Sequence, residues 1–318
     1  MARPGGAEVV IVTVTPSPAF DRTVEVLGFH VGGTFRGKLL ARRAAGKGVN
    51  VARCLAALGA ETAATGLLAR SAANEFAASL RGGGVRAAFV EIDGEIRVNT
   101  TILDPSARSE THVRERGAPV ARDDIRRLEA KLAELAGPGS WTVACGSLPD
   151  GMSAEDLARV LEAARARGSR LALDSSGEGL RAAFTARPEL LKPNRAELAE
   201  LSGREAPSRA EALQAARALV GKAARALLVT LGAEGALYVE AGLALGARCE
   251  PEEVVNSVGA GDAALAGWLW AESRGEGPEA RLASAVAAGA AKLAEGVAGE
   301  LDRERFVRLR ARARVERL

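Results

Sequence analysis

Asp262 follows Gly259, Ala260 and Gly261 and opens onto a run of helix formers, Ala263 to Ala266. A glycine turn that starts a helix presents first-turn N–H groups with no intrahelical partner, at the positive end of the helix dipole. Glycine lets that backbone approach an anion closely, because no Cβ intervenes. A carboxylate beside such an anion hole could take a proton from a nucleophile while the amides of Gly259, Ala260 and Gly261 hold the charge that develops. The same aspartate could equally do no more than complement its own helix dipole. Val254 and Val255 read as the end of an extended run leading into the turn, and Asn256 and Ser257 as caps for the turn and its helix.

Four other places carry residues suited to the same chemistry. Asn194 and Glu197, in Lys192-Pro193-Asn194-Arg195-Ala196-Glu197, are three apart where a strand gives way to a helix. Their side chains then point the same way. An amide oxygen and a carboxylate are hard ligands suited to Mg²⁺, directly or through water; a helix N-cap with a first-turn Glu is the plainer alternative. Gly46-Lys47-Gly48 puts a lysine and glycine amides at a helix start, with Asn50 just inside, and could cradle a polar ligand or be a flexible turn. It is no Walker A loop, since the positions that motif needs hold Ala41 and Gly48. Thr230-Leu231-Gly232-Ala233-Glu234-Gly235 is a glycine turn after a strand, usable as a nucleotide phosphate or ribose contact, or an ordinary hairpin turn. Asp21 stands where the first buried strand has ended, a good position for a ligand contact or a simple turn residue.

The elements that must hold these residues follow from periodicity. Val9 to Val14 is a nearly continuous apolar run, typical of a strand buried on both faces. Phe35 to Arg43 reads as extended and Ala44 to Ala60 as a helix stopped by Gly59. Val85 to Ile92 and Glu95 to Leu103 read as strands joined in a hairpin at Asp93-Gly94. Arg97, Asn99 and Thr101 share one face of the second, and Glu110 to Arg114 is a further extended piece beside it. These strands look like a small antiparallel sheet, a lid, set apart from the main one. From Arg122 the rhythm is helix then strand. Helices are expected at Arg122 to Ala136, Ser153 to Ala166, Ser208 to about Ala224, Gly261 to Ser273, about Pro278 to Glu295 and about Asp302 to Ala313. Strands are expected at Trp141 to Ala144, Arg170 to Leu173 and Ala226 to Thr230. Ser153, and Ser208 with Glu211, are capping residues. Strands alternating with helices imply a mostly parallel sheet covered on both faces. Ligands of such sheets bind beyond the carboxyl ends of the strands. Asp21, Gly146, Asp174, Asn194, Thr230 and Asp262 are all expected there.

Composition narrows the class. The 318 residues can bury a large core, with no linker, composition break or internal repeat to divide them. Basic and acidic residues nearly cancel, 43 against 40, which gives no whole-chain argument for nucleic acid or a membrane surface. An aromatic fraction of 3% leaves little for base stacking. Three scattered cysteines and two histidines, His30 and His112, make neither a disulfide frame nor a His-rich metal site. The N-terminal MARPGGAE reads as a frayed tail without an export core, and no apolar run reaches membrane-spanning length. A cytoplasmic protein is expected.

In order, the stretches TPSPAFDRTVEV, GKGVNVA, IRVNTTI, CGSLPDG, KPNRAEL, TLGAEG and NSVGAGD resemble those of the ribokinase-like (PfkB) sugar kinases, and are most similar to the 1-phosphofructokinase and tagatose-6-phosphate kinase branch. The likeness runs from about Val9 to Gly299 and is specific as a combination. It implies a single domain over 1–318: a three-layer αβα sandwich with a mostly parallel sheet and a small antiparallel lid drawn from about 20–45 and 85–116. The activity it implies is ATP-dependent phosphorylation of a sugar or sugar-phosphate hydroxyl, with Mg²⁺. In that pattern Asp262 takes the hydroxyl proton and the Gly259–Gly261 amides form the anion hole. Asn194 and Glu197 organise Mg²⁺ and phosphates, and Lys192, Thr230, Gly232, Gly235 and Gly261 border the nucleotide. Asp21, Gly46, Lys47 and Asn50 hold the sugar, with Arg97 reaching in from the lid. A loose phosphoryl transition state needs no strong base, so an aspartate kept ionised by a helix N-terminus is adequate. A homodimer through the lid sheet is the expected assembly.

Three departures bear on the substrate. The family's paired glycine is Ala45-Gly46 here. The branch's RINVK is Arg97-Val98-Asn99-Thr100-Thr101, without its lysine, and TELNEPG is Thr111-His112-Val113-Arg114-Glu115-Arg116-Gly117. Either Arg114 or Arg116 supplies the missing charge to a sugar phosphate, or the substrate is an unphosphorylated sugar or nucleoside. A non-catalytic nucleotide or sugar sensor is the alternative of a different class, against which the intact Asp262 and its turn stand. A Rossmann dehydrogenase fits worse, because no GxGxxG follows the first strand.

Overall fold

The computed structural model describes residues 11–318; the N-terminal MARPGGAE segment with Val9 and Val10 lies outside them. Eleven strands form one sheet. Its parallel part runs β5 (Arg86–Ala87), β4 (Thr62–Ala69), β1 (Ile11–Thr15), β9 (Trp141–Cys145), β10 (Arg170–Asp174), β11 (Leu190–Leu191) and β12 (Ala226–Thr230), with β6 (Val90–Ile92) also on β4. An antiparallel extension follows: β13 (Ala236–Glu240), β14 (Leu243–Arg248) and the C-terminal β15 (Arg314–Arg317).

Both faces are covered because successive residues of each central strand face opposite layers. Val12, Val14, Leu171, Leu173, Leu227 and Val229 pack with α3 (Arg122–Leu135), α4 (Ala154–Arg165), α5 (Glu178–Ala186), α6 (Arg195–Ser202) and α7 (Arg209–Leu219). Ile11, Trp141, Val143, Ala172 and Leu228 pack with α1 (Lys47–Ala57), α8 (Ala260–Ser273), α9 (Pro278–Leu293) and α10 (Arg303–Arg312). The short α2 (Ala73–Arg81) closes a third cluster, where Phe76 meets Phe20 edge to face. Gly267 lets α8 and α9 cross closely: a Cβ there would sit 2.4 Å from the Ser284 carbonyl oxygen.

The lid is a separate four-stranded sheet in the order β3 (Lys38–Ala45), β2 (Ala19–Glu25), β7 (Arg97–Asp104), β8 (Ser109–Arg114). It is mixed rather than antiparallel, because β2 and β7 run parallel. The hairpin expected at Asp93-Gly94 is absent. The segment before it splits into β5 and β6, both paired with β4, so Asp93-Gly94 is the crossover from the central sheet to the lid. Only β7 and β8 of the 85–116 stretch therefore belong to the lid. Ala44 and Ala45 end β3 rather than start a helix, since α1 begins at Lys47. The α7 helix stops at Leu219, where Val220 turns extended. Ser153 and Ser208 cap as expected, each accepting from the N–H three residues on.

Candidate functional site

The α8 N-terminus is built differently from its sequence-based reading. Val254 and Val255 are not a strand; they are exposed loop residues beyond the end of β14. The N-cap is Gly259, at φ 86° and without a side-chain cap, so the helix's first amides are left free of side-chain acceptors. Asn256 caps the turn instead of the helix: its Oδ1 accepts from the Val258 N–H at 2.8 Å. A left-handed φ strains any residue but glycine, and a Cβ on Gly259 would also meet Ala298 at 3.0 Å.

Asp262, in the first turn of α8, is buried, and its Oδ2 accepts from Asn50 Nδ2 of α1 at 2.8 Å. Helix α1 and the glycine turn thus meet at this carboxylate. Helix-dipole stabilisation does not dominate its ionisation. Burial, and then the charge of Asp174, push its pKa up from 3.8 to about 6, against the pull of the Asn50 hydrogen bond, Lys192 and Lys47.

Asp174, the fully buried last residue of β10, anchors the floor. Lys47 Nζ donates to its Oδ1 at 3.1 Å, and Lys192 Nζ lies 3.0 Å from its Oδ2. Lys47 also lies 3.6 Å from Glu197 Oε1. Burial disfavours the Lys47 ammonium, but Asp174, Glu197 and Asp262 together hold its pKa above the ordinary 10.5. Lys192 reaches the anion turn as well: a Cβ on Gly261 would stand 3.4 Å from its Nζ. Sequence reasoning gave Asp174 no role beyond standing at a strand end. The signal for one was a charged residue closing the apolar run Leu171-Ala172-Leu173.

Asn194 and Glu197 form a reciprocal capping box. Asn194 Oδ1 accepts from Glu197 N at 2.9 Å, and Glu197 Oε2 accepts from Asn194 N at 2.8 Å. The plainer alternative is thus realised, yet Glu197 Oε1 accepts no hydrogen bond among the described residues. No group of three or more His, Cys, Asp or Glu side chains that could hold a metal occurs among them. A hydrated Mg²⁺ that draws most of its ligands from phosphates and water fits this oxygen, which faces the Lys47 ammonium at 3.6 Å; a cation held by protein alone does not.

Beside the capping box, Asn194 bridges to Thr230, whose N–H donates to the Pro193 carbonyl at 3.1 Å. Gly232 (φ 62°) and Gly235 (φ 86°) bracket a short 3₁₀ turn. A Cβ on Gly235 would fall 2.0 Å from the Ala247 carbonyl oxygen, whereas Gly232 faces open space. Gly46 has φ 128° and its Cβ position is occupied by Thr15.

The lid carries the remaining residues. Asp21 lies in β2, not at the end of a central strand, and its Oδ1 accepts from Asn99 Nδ2 at 2.9 Å. Arg97 donates to the Ser17 carbonyl at 2.6 Å. Asp262, Asn50, Lys47, Lys192 and Glu197 are therefore brought together, while no hydrogen bond or ion pair among the described residues joins Asp21 or Arg97 to Asp262.

A model of the pfkB family carbohydrate kinases matches residues 18–302. The chain belongs to this family. It is an ATP-dependent carbohydrate kinase. Among its relatives, the 1-phosphofructokinase of Vibrio cholerae is 34% identical over 308 residues, covering 97% of both chains. That of Rhodobacter capsulatus is 38% identical over 283 residues, covering 88% of this chain and 90% of its own. Of solved structures, Escherichia coli phosphofructokinase-2 in complex with potassium superimposes with a TM-score of 0.90 at 28% identity, over 96% of this chain and 99% of that one. The same kinase in complex with fructose-6-phosphate gives a TM-score of 0.88, also at 28% identity and with the same coverage. Among the described residues of this PfkB kinase, no helix is long and apolar enough to cross a membrane.

Proposed function

We propose that this kinase transfers the γ-phosphoryl group of ATP to a hydroxyl of a ketose phosphate of the fructose-1-phosphate, fructose-6-phosphate or tagatose-6-phosphate type. The carrying observation is Asp262: a buried carboxylate with a raised pKa, one residue beyond a glycine turn that no side chain caps, held by Asn50 from the opposite helix. In this reading the substrate O–H bond breaks toward Asp262 as the oxygen bonds to the γ-phosphorus. The bond from that phosphorus to the β,γ-bridging oxygen breaks, and ADP leaves. The Gly259, Ala260 and Gly261 amides and the Lys192 ammonium offset charge on the migrating group. Lys47 ties the sugar-side helix to the floor through Asp174, and Thr230, Gly232 and Gly235 border the nucleotide. Glu197 and Asn194 would hold Mg²⁺ through water, and the ion would supply positive charge against the phosphates.

The phosphate of the sugar is read by Arg114 with Arg97. Asn99 pairs with Asp21 on one side and with Arg114 on the other, and directly opposed residues share a face of a sheet. Arg97, two residues before Asn99, shares it too. Burial lowers the Arg97 pKa against the pull of Asp21, and Arg114 lowers it further, so the two guanidiniums stand close enough to act on one anion. Thr101, at the position of the branch's lysine, is instead bonded to His112 at 3.2 Å. Turnover of fructose-1-phosphate, fructose-6-phosphate, tagatose-6-phosphate and the free ketoses tests this. One phosphorylated ketose should exceed its free counterpart in kcat/KM, and Arg114→Ala should cut that preference roughly 30-fold, the scale of one charge-assisted contact. Equal use of free and phosphorylated sugars would favour the unphosphorylated-sugar reading.

A homodimer through the lid belongs to the same reading. Leu39 and Leu40 on the edge strand β3, and Val113 on the other edge strand β8, are about half exposed. A relative, E. coli phosphofructokinase-2, has been described in a tetrameric inhibited form.

A further inference from the structure

Lys292 is one of the largest fully buried side chains of the molecule, at 0% exposure. A buried ammonium normally finds a carboxylate. This one is bonded to none among the described residues. It donates to two backbone carbonyls, Glu295 at 3.0 Å and Asn256 at 3.3 Å. The first lies just past the C-terminus of α9, where the helix dipole favours a cation. The second belongs to the loop that leads into the glycine turn of α8. The two segments are also stitched by the Val255 and Asn256 N–H groups donating to Leu293 O, and by Asn256 Nδ2 donating to Gly296 O. The lysine stem runs beneath the turn, since a Cβ on Gly259 would stand 3.6 Å from Lys292 Cε. Carbonyl oxygens from two loops thus converge on a buried positive charge to which no acid is bonded among the described residues, and neutral oxygens of this kind also suit a weakly hydrated monovalent cation.

We propose that Lys292 is a positioning residue whose ammonium serves as a built-in monovalent cation, fixing the 256–259 segment so that the amides at the start of α8 point at the phosphoryl group. The proposal rests on the kinase reading above and adds what holds its anion hole in place. It carries a consequence for ion dependence: the wild-type kinase needs no K⁺, because the carbonyls that would bind it are already occupied. Removing the side chain leaves a carbonyl-lined space that a small cation can fill from solvent.

The test uses wild type, Lys292→Ala and Lys292→Met in tetramethylammonium chloride, a cation too large to enter, with KCl, NH₄Cl or ethylammonium chloride added at constant ionic strength. Two readouts are taken: turnover and thermal unfolding. Wild type should respond to none of the additions. Lys292→Ala should lose roughly 100-fold in kcat, the scale of misplaced reacting groups, with KM for the sugar changed less than about threefold. K⁺, NH₄⁺ or ethylammonium should recover at least roughly tenfold of that loss and raise the melting temperature of the variant alone, by the mass action of binding to the folded state. Lys292→Met, which fills the space with an apolar chain, should lose activity and be rescued less. Activation of wild type by K⁺ would overturn the proposal, and so would a Lys292→Met enzyme with wild-type kcat. A Lys292→Ala protein whose activity and melting temperature ignore every cation would overturn it too. A wild type inactive on every sugar would sink the kinase reading instead, while the cation-dependent melting of the variant would still decide this one.

Discussion

Asp262→Asn should make the protein more stable and nearly inactive, with a pH signature that a purely structural residue would not give. The folded-state pKa of Asp262 is raised from 3.8 to about 6, first by burial and then by Asp174. The protonated form is the one that folding favours, so ionised Asp262 costs stability. Below the unfolded value both states carry the proton and the cost is absent. It grows as pH rises through 3.8 and is complete above about 6, where the rise corresponds to about 3 kcal/mol. An asparagine is nearly the same size and still offers Asn50 an oxygen, so the substitution removes the charge and little else. At roughly 2 °C per kcal/mol for a chain of this size, the variant should melt about 5 °C above wild type at pH 8. By the same linkage the gap falls to about half at pH 5 and to about a fifth at pH 4. Turnover should drop by roughly several hundred-fold or more, the scale of positioned proton transfer. Wild-type kcat/KM should show an acid limb near pH 6, and that limb should disappear from the residual activity of the variant. Differential scanning calorimetry from pH 4 to 8, with a coupled ADP assay, reads all of this. A variant keeping more than about a tenth of wild-type kcat would refute the role of Asp262 in proton transfer. A melting difference that is the same at pH 4 and pH 8 would refute the electrostatics.

Two further outcomes are expected from the site and the lid. Glu197→Gln keeps the capping oxygen for Asn194 N but removes the charge at Oε1, so the Mg²⁺ concentration for half-maximal activity should rise roughly tenfold while the melting temperature stays put; an unchanged Mg²⁺ titration would remove Glu197 from the metal's surroundings. Leu39→Glu with Leu40→Glu puts charges on the outer strand of the lid, and sedimentation velocity should then give monomers where wild type is expected to give dimers. Dimers persisting in the double variant would place the interface elsewhere.

The sequence was most legible where chemistry and local rules coincide. The α4 and α7 caps, the α8 helix and the alternation of strands and helices all rest on interactions within a few residues, and the structure has them. Legibility failed where a distant partner decides. Asp93-Gly94 has the residues of a tight turn, but Leu67, Leu68 and Ala69 of β4 capture Val90, Glu91 and Ile92, and the chain must then cross to the lid. The valines before the glycine turn have strand-forming side chains, yet the loop's N–H groups find Leu293 O rather than a strand. The stretches 61–84 and 178–186, which form β4, α2 and α5, carry alanine-rich patterns with no strong period of either kind. The site itself was readable as parts. What no spacing rule supplies is that Asp174 would collect two lysines, or that Lys292 would turn inward.

The two buried aspartates of the floor differ in the partners that meet their charge. Asp174 has Lys47 on one oxygen and Lys192 on the other, so both of its oxygens face an ammonium. Asp262 has a neutral amide for its hydrogen-bonded partner, and feels the two lysines only at longer range. Coulomb attraction at contact is several times that at twice the distance once the intervening medium is counted, so the lysines stabilise the anion of Asp174 first. The Asp174 charge then acts on Asp262 as a repulsion, adding to burial. A phosphate group arriving at the glycine turn will compete for those same ammoniums. It would thereby weaken the pull of Lys192 and Lys47 on Asp262, the pull that opposes the rise of its pKa.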